Sequence, residues 1–141
     1  MRRNVNANAS ATVRIMSVFA SPGTPSSKQC PRANSAIGTL EATGMMREMT
    51  ERLATDVDLA AAYRSAHEGY LAARESVAVV PEIAGVTAGG MPDRVKCLHV
   101  LVAHSLAAGP GANPLGDEAL AALPEWWRSG SCVRADVGGE V

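Results

Sequence analysis

Residues 92–108 carry apolar side chains on almost every side of the helix that their spacing predicts. Charged residues stop at Lys96, and beyond it no face of the segment is polar. A helix that is apolar all round is a buried one. The sequence therefore predicts that this segment is the central helix of the fold, with Pro92 in its first turn and the other helices packed around it. Its apolar positions include Val95, Cys97, Leu98, Val100, Leu101, Val102 and Leu106, and His104 lies among them.

Helical patterns also occur before and after this segment. Pro31 is suited to a first helical turn, and Gly44 is typical of a residue that ends a helix. The residues after Gly44 form a second apolar stripe that is rich in methionine, and core packing is its commoner explanation. A capping box of Thr55 and Asp58 predicts a third helix, and Asn113 with Pro114 predicts a last short one that ends near Leu123.

The fold class that follows is mainly α, a small bundle of four to five helices. Alanine accounts for 25 of the 141 residues, and Leu, Ile, Val and Phe together number 28. Because alanine buries little apolar area, this composition predicts a thin core that association with a partner would help to stabilise. We expect one helical domain at residues 30–133, a disordered or irregular leader at 1–29, and a tail at 134–141.

Charge and cysteine content narrow the class of protein. Thirteen Lys and Arg offset fourteen Asp and Glu, which argues against a nucleic-acid-binding face. The sequence has no apolar run of the roughly 18 residues that a membrane span needs. Three widely spaced cysteines are a poor disulfide framework, and a reducing cytoplasm is the simpler location.

Cysteine and histidine side chains suggest a metal site, because thiolate and imidazole are ligands of zinc and of iron–sulfur clusters. The candidates are Cys30, Cys97 and His104, with His99 as a further donor. Within one helix, Cys97 and His104 would lie roughly 10 Å apart along the axis, and Cys97 and His99 would point to opposite sides. Buried structural cysteines are therefore the expected alternative, and no cofactor is expected.

A second candidate site lies at the predicted amino end of the central helix. Gly89 and Gly90 allow close backbone approach, and free N–H groups at a helix amino end attract anions. Arg94, Lys96 and His99 follow within the next turns and would add positive charge or hydrogen bonds. This pattern predicts phosphate or carboxylate binding, while the alternative is an ordinary helix start.

Neither site suggests a reaction. The sequence has no nucleophile elbow, no phosphate-loop lysine and no spacing typical of a Ser-His-Asp triad. We therefore assign no catalytic residue and favour a non-catalytic structural or interaction module that binds a protein partner or a second copy of itself. Anion binding is the second hypothesis and metal binding the third.

Four stretches of the sequence resemble the bacterial domain-of-unknown-function 501 family, over about residues 30–133. They are CPRA at 30–33, LEATGMMREMTERLA at 40–54, AYRSAHEGYLAAR at 62–74 and GGMPDRVKCLHVLVAHSLAAGPGANPLGDEALAAL at 89–123. The resemblance implies a shared fold and no established activity. Family members resemble one another in an earlier Cys-Pro-Cys-Gly segment, from which this chain departs, and that cysteine pair would complete a four-ligand metal set.

Overall fold

The computed structural model describes residues 31–126 and residue 128. The expected leader and Cys30 lie outside these residues, as do Trp127 and the tail. Five α-helices and one short 3-10 turn account for the ordered elements of the described part of the chain. They are α1 (Pro31–Glu41), α2 (Met45–Thr55), α3 (Val57–Glu75), the 3-10 turn (Pro81–Ile83), α4 (Leu98–Ala108) and α5 (Pro114–Ala122).

This architecture confirms the predicted mainly-α bundle. Gly44 separates α1 from α2 in a left-handed conformation with φ 91°, which favours glycine. Asn113 caps α5, because its side chain accepts a hydrogen bond from the Gly116 N–H. None of the helices in the described residues has both the length and the apolar character needed to cross a membrane.

The capping prediction at the start of α3 is wrong by one residue. Asp56, rather than Thr55, is the N-cap, and its carboxylate accepts the Leu59 N–H at 2.9 Å. Thr55 is the last residue of α2 and donates its hydroxyl to the Arg52 carbonyl oxygen. A single residue thus separates the two helices, and it has to be the cap.

The central helix is confirmed as buried, but it begins at Leu98 and not at residue 92. Seven of its eleven residues are buried, while Leu106 is an exposed exception. Residues 89–96 do not form a helix, and two of their backbone N–H groups bond outside the helical pattern: Lys96 to the Gly89 carbonyl, and Val95 to the Thr50 hydroxyl. Local turn formation and a contact with α2 therefore replace the helix that Pro92 predicted.

The core lies where α4 meets the other helices. Its fully buried large side chains come from every helix, and from the turns before α4: Ile37, Met49, Tyr63, Met91, Leu98, Leu101, Val102 and Leu115. At the surface, Arg52 of α2 makes a 2.7 Å ion pair with Glu118 of α5. The segment that connects α3 to α4 is different, because it exposes several apolar residues: Val77, Val79, Val80, Ile83 and Val86.

Candidate metal centre

Two glycine turns bring Cys97 to the amino end of α4. Gly89 and Gly90 have φ of 63° and 90°, and a Cβ at Gly90 would lie 2.6 Å from the Arg94 carbonyl oxygen. Only glycine fits that position without displacing backbone. The turns close through the bond from the Lys96 N–H to the Gly89 carbonyl at 2.7 Å. Their geometry leaves Cys97 extended, at φ −153°, as the residue directly before the helix.

Two neighbouring helices hold this segment in place. The Thr50 hydroxyl of α2 accepts the Val95 N–H at 3.0 Å. The Tyr63 hydroxyl of α3 donates to the Arg94 carbonyl oxygen at 3.2 Å, and burial raises the pKa of the Tyr63 phenol, so it keeps its proton. The position of Cys97 is therefore fixed by contacts with the body of the bundle.

Glu41, the last residue of α1, also reaches the amino end of α4. One of its carboxylate oxygens accepts the Leu98 N–H at 2.7 Å and lies 3.2 Å from His99 Nδ1. Cys97 provides no side-chain cap for α4, so the Glu41 carboxylate takes that role at the positive end of the helix. The Glu41 and His99 side chains are about one quarter exposed, at 24% and 27%.

These contacts place a carboxylate, a thiol and an imidazole together. One donor atom each from Glu41, Cys97 and His99 lies within 4.8 Å of the other two. The second ring nitrogen of His99, Nε2, lies 3.4 Å from the Asn34 carbonyl oxygen of α1. A backbone carbonyl beside the distal nitrogen is a common way to orient a metal-binding histidine. The cluster is therefore a three-donor group with an oriented imidazole.

Cys97 and His99 lie closer together than a continuous helix would place them. In a continuous helix Cys97 and His99 would point apart, but Cys97 precedes α4 and is extended, so the two side chains come together. Glu41 is the residue that the sequence interpretation missed as a donor. It lies 57 positions before Leu98 in the chain, and no local pattern connects the two.

His104, the third predicted metal ligand, lies elsewhere, in the core between α4 and α5. Its Nδ1 lies 3.3 Å from Asn113 Nδ2, and its ring packs edge-on against Tyr70 with the centroids 5.6 Å apart. Burial lowers the pKa of His104, and the charge of Asp117 opposes part of that shift. These contacts suit a neutral core histidine. Cys30, the remaining predicted ligand, lies outside the described residues.

Most of the predicted anion-binding residues lie before α4 rather than in its first turns. Gly89, Gly90, Arg94 and Lys96 all precede α4, and the first N–H of that helix is bonded to the Glu41 carboxylate. Pro92 does not begin a helix, because α4 starts only at Leu98. Only His99 from this set lies in α4, and it belongs to the three-donor cluster. Binding of an anion by these residues remains a prediction.

Comparison with known proteins places the chain in a family. The family described as "Protein of unknown function (DUF501)" matches residues 26–121, about two thirds of the sequence. No curated protein and no solved structure matches this chain. The chain therefore belongs to this family, in agreement with the resemblance noted in its sequence.

Proposed function

We propose that this member of the DUF501 family is a non-catalytic, zinc-binding helical module, with Glu41, Cys97 and His99 as ligands. The observation that carries the proposal is the convergence of three different donor types from two separate parts of the chain. Thiolate, imidazole and carboxylate are the three side-chain ligands of zinc, whereas magnesium and calcium prefer sites made of oxygen alone.

The distances support ion binding after only small side-chain movements. Around a tetrahedral zinc ion with ligand bonds of about 2.0 to 2.3 Å, neighbouring donor atoms lie roughly 3.5 Å apart. Glu41 Oε1 and His99 Nδ1 are already 3.2 Å apart, and all three donors lie within 4.8 Å of one another.

A thiol, an imidazole and a carboxylate could also form a nucleophilic cysteine site, but the mutual approach of all three donor atoms favours a metal. In a Cys–His pair, one ring nitrogen faces the thiol while the other faces its orienting group. Here Nδ1 contacts the Glu41 carboxylate and Nε2 lies near the Asn34 carbonyl oxygen. Both nitrogens thus lie beside oxygen atoms of α1, and a ring nitrogen also lies within 4.8 Å of the Cys97 sulfur, so an ion between these groups would contact all three side chains.

A structural role for the ion is supported by the position of the ligands. Glu41 belongs to α1, while Cys97 and His99 lie at the start of α4, so one ion would connect two helices that are distant in sequence. Zinc sites of this kind contribute directly to folding stability. The function we propose is therefore to hold the bundle together as a scaffold for interaction.

Zinc stoichiometry and affinity test this proposal. We expect about one zinc ion per chain by elemental analysis of dialysed protein, and competition with a chromophoric chelator gives the affinity. Cys97→Ser and His99→Gln should each weaken binding more than about a hundredfold, and Glu41→Gln about tenfold or more. Glutamine keeps an oxygen that can accept the Leu98 N–H, so Glu41→Gln tests the ligand charge without removing the cap.

The matched control is His67→Gln, because His67 lies in α3 and is not a member of the donor cluster. The zinc affinity of His67→Gln should equal that of the wild type. Cys30→Ser, measured in the same way, tests whether the residue before α1 adds a fourth ligand. Protein that contains no zinc after exposure to it, or a Cys97→Ser variant with unchanged affinity, would overturn the proposal.

A further inference from the structure

We infer that zinc controls the docking of α1, so that α1 packs firmly against α4 when the ion is bound and detaches readily without it. This inference rests on the proposed zinc site. Helix α1 supplies the Glu41 ligand and the Asn34 carbonyl beside His99, while α4 supplies His99 and follows Cys97 directly. The ion would therefore bind across the junction between these two helices.

The apolar anchoring of α1 is small. Only Ala33 and Ile37 of its eleven residues are buried, and Ile37 is its one large, fully buried side chain. By contrast, seven of the eleven residues of α4 are buried. Because apolar stabilisation follows the area removed from water, an additional bond can strongly affect the docking of α1.

The local sequence of α1 also weakens it as a helix. Gly38 occupies its interior, and a Cβ there would meet nothing within 4 Å, so packing does not require the glycine. Interior glycine disfavours a helix relative to alanine, and a helix of eleven residues is marginal on its own in water. The helical state of α1 therefore depends on its docking to the rest of the bundle.

Three polar contacts between α1 and α4 involve the three-donor cluster. Glu41 accepts the Leu98 N–H and contacts His99, and His99 reaches back to the Asn34 carbonyl. An ion at this point would add bonds that exist only while α1 is docked. Thermodynamic linkage then requires that zinc stabilises the docked helix, and that a more stable docked helix binds zinc more tightly.

Two substitutions away from the ligands test this reciprocity. Gly38→Ala stabilises α1 and should tighten zinc binding by up to roughly fivefold. Ile37→Ala removes its main apolar anchor and should weaken binding by about tenfold or more. Gly69→Ala is the matched control, because Gly69 is also interior to a helix with nothing within 4 Å but lies in α3. Its zinc affinity should be unchanged.

Hydrogen exchange of the full chain measures the docking itself. Zinc should slow exchange of the α1 amides at least tenfold while changing α4 and α5 far less. If the wild type binds zinc but α1 exchange is the same with and without the ion, and Gly38→Ala and Ile37→Ala both keep wild-type affinity, the inference is wrong while the proposed function stands. If the wild type does not bind zinc, both fail.

Discussion

Two glycines in helix interiors show how differently α5 and α1 are attached to α4. Gly116 of α5 is buried, and a Cβ there would collide with the Leu101 carbonyl oxygen and the Ser105 hydroxyl of α4. Gly38 of α1 faces open space. The α4–α5 pair is thus held by close backbone packing. Helix α1 is held by the fully buried Ile37, by the partly buried Ala36 and Leu40, and by a polar cluster at its end. We propose that the contacts of α1, unlike those of α5, respond to a zinc ion.

The largest expected effect comes from filling the space at Gly116. We expect Gly116→Ala to lower the free energy of unfolding by about 3 kcal/mol, because the neighbouring atoms include backbone that cannot move aside. Urea denaturation measures it. Gly69→Ala is the control, since it adds the same methyl group in open space and should raise stability by about 0.5 to 1 kcal/mol. Similar stabilities for the two variants would contradict the close packing of α4 and α5.

A smaller effect is expected from the buried cap of α5. Asn113 is fully buried, accepts the Gly116 N–H at 3.0 Å and places its amide nitrogen beside His104. Asn113→Ala should cost about 2 kcal/mol, because it removes the cap and leaves buried polar groups without partners. The comparison variant is Asp56→Ala, which removes an exposed cap of α3 and should cost about 1 kcal/mol or less. If both variants lose the same free energy of unfolding, burial of Asn113 does not strengthen its cap.

The features that the sequence predicts are those that depend on residues close together in the chain. The helices, the Gly44 break and the Asn113 cap follow from spacing and residue type within a few positions. The start of α4 was predicted six residues too early, since Thr50, 45 positions away, takes the Val95 N–H. Cys97 and His99 are candidates by residue type alone, whereas no local pattern points to Glu41, and His104 lies apart from the three-donor cluster. Only the three-dimensional arrangement determines which donors meet.

The smallest expected effect is a pH dependence of the free energy of unfolding that arises from His104 of α4. Burial lowers the pKa of His104 below its ordinary value of 6.5, so the unfolded chain takes up its proton at a higher pH than the folded one. Neutral His104 therefore contributes fully to the free energy of unfolding above about pH 6.5. This contribution is lost as the pH falls below 6.5, by at most about 1.4 kcal/mol per pH unit.

Urea denaturation of the wild type and His104→Gln between pH 5 and 7.5 measures this dependence. The buffer range is roughly centred on the ordinary histidine pKa. The wild type should lose more stability than the variant as the pH falls, because the variant lacks the titrating group. Parallel curves for the two proteins would show that His104 does not contribute.

X-ray absorption spectroscopy at the zinc edge tests the proposed metal centre most directly. For zinc-loaded wild-type protein we predict sulfur scattering at about 2.3 Å together with nitrogen or oxygen at about 2.0 to 2.1 Å. The sulfur contribution should decrease in Cys97→Ser and persist in His67→Gln. A shell of nitrogen and oxygen alone in the wild type, or sulfur scattering that Cys97→Ser leaves unchanged, would contradict a zinc site at Glu41, Cys97 and His99.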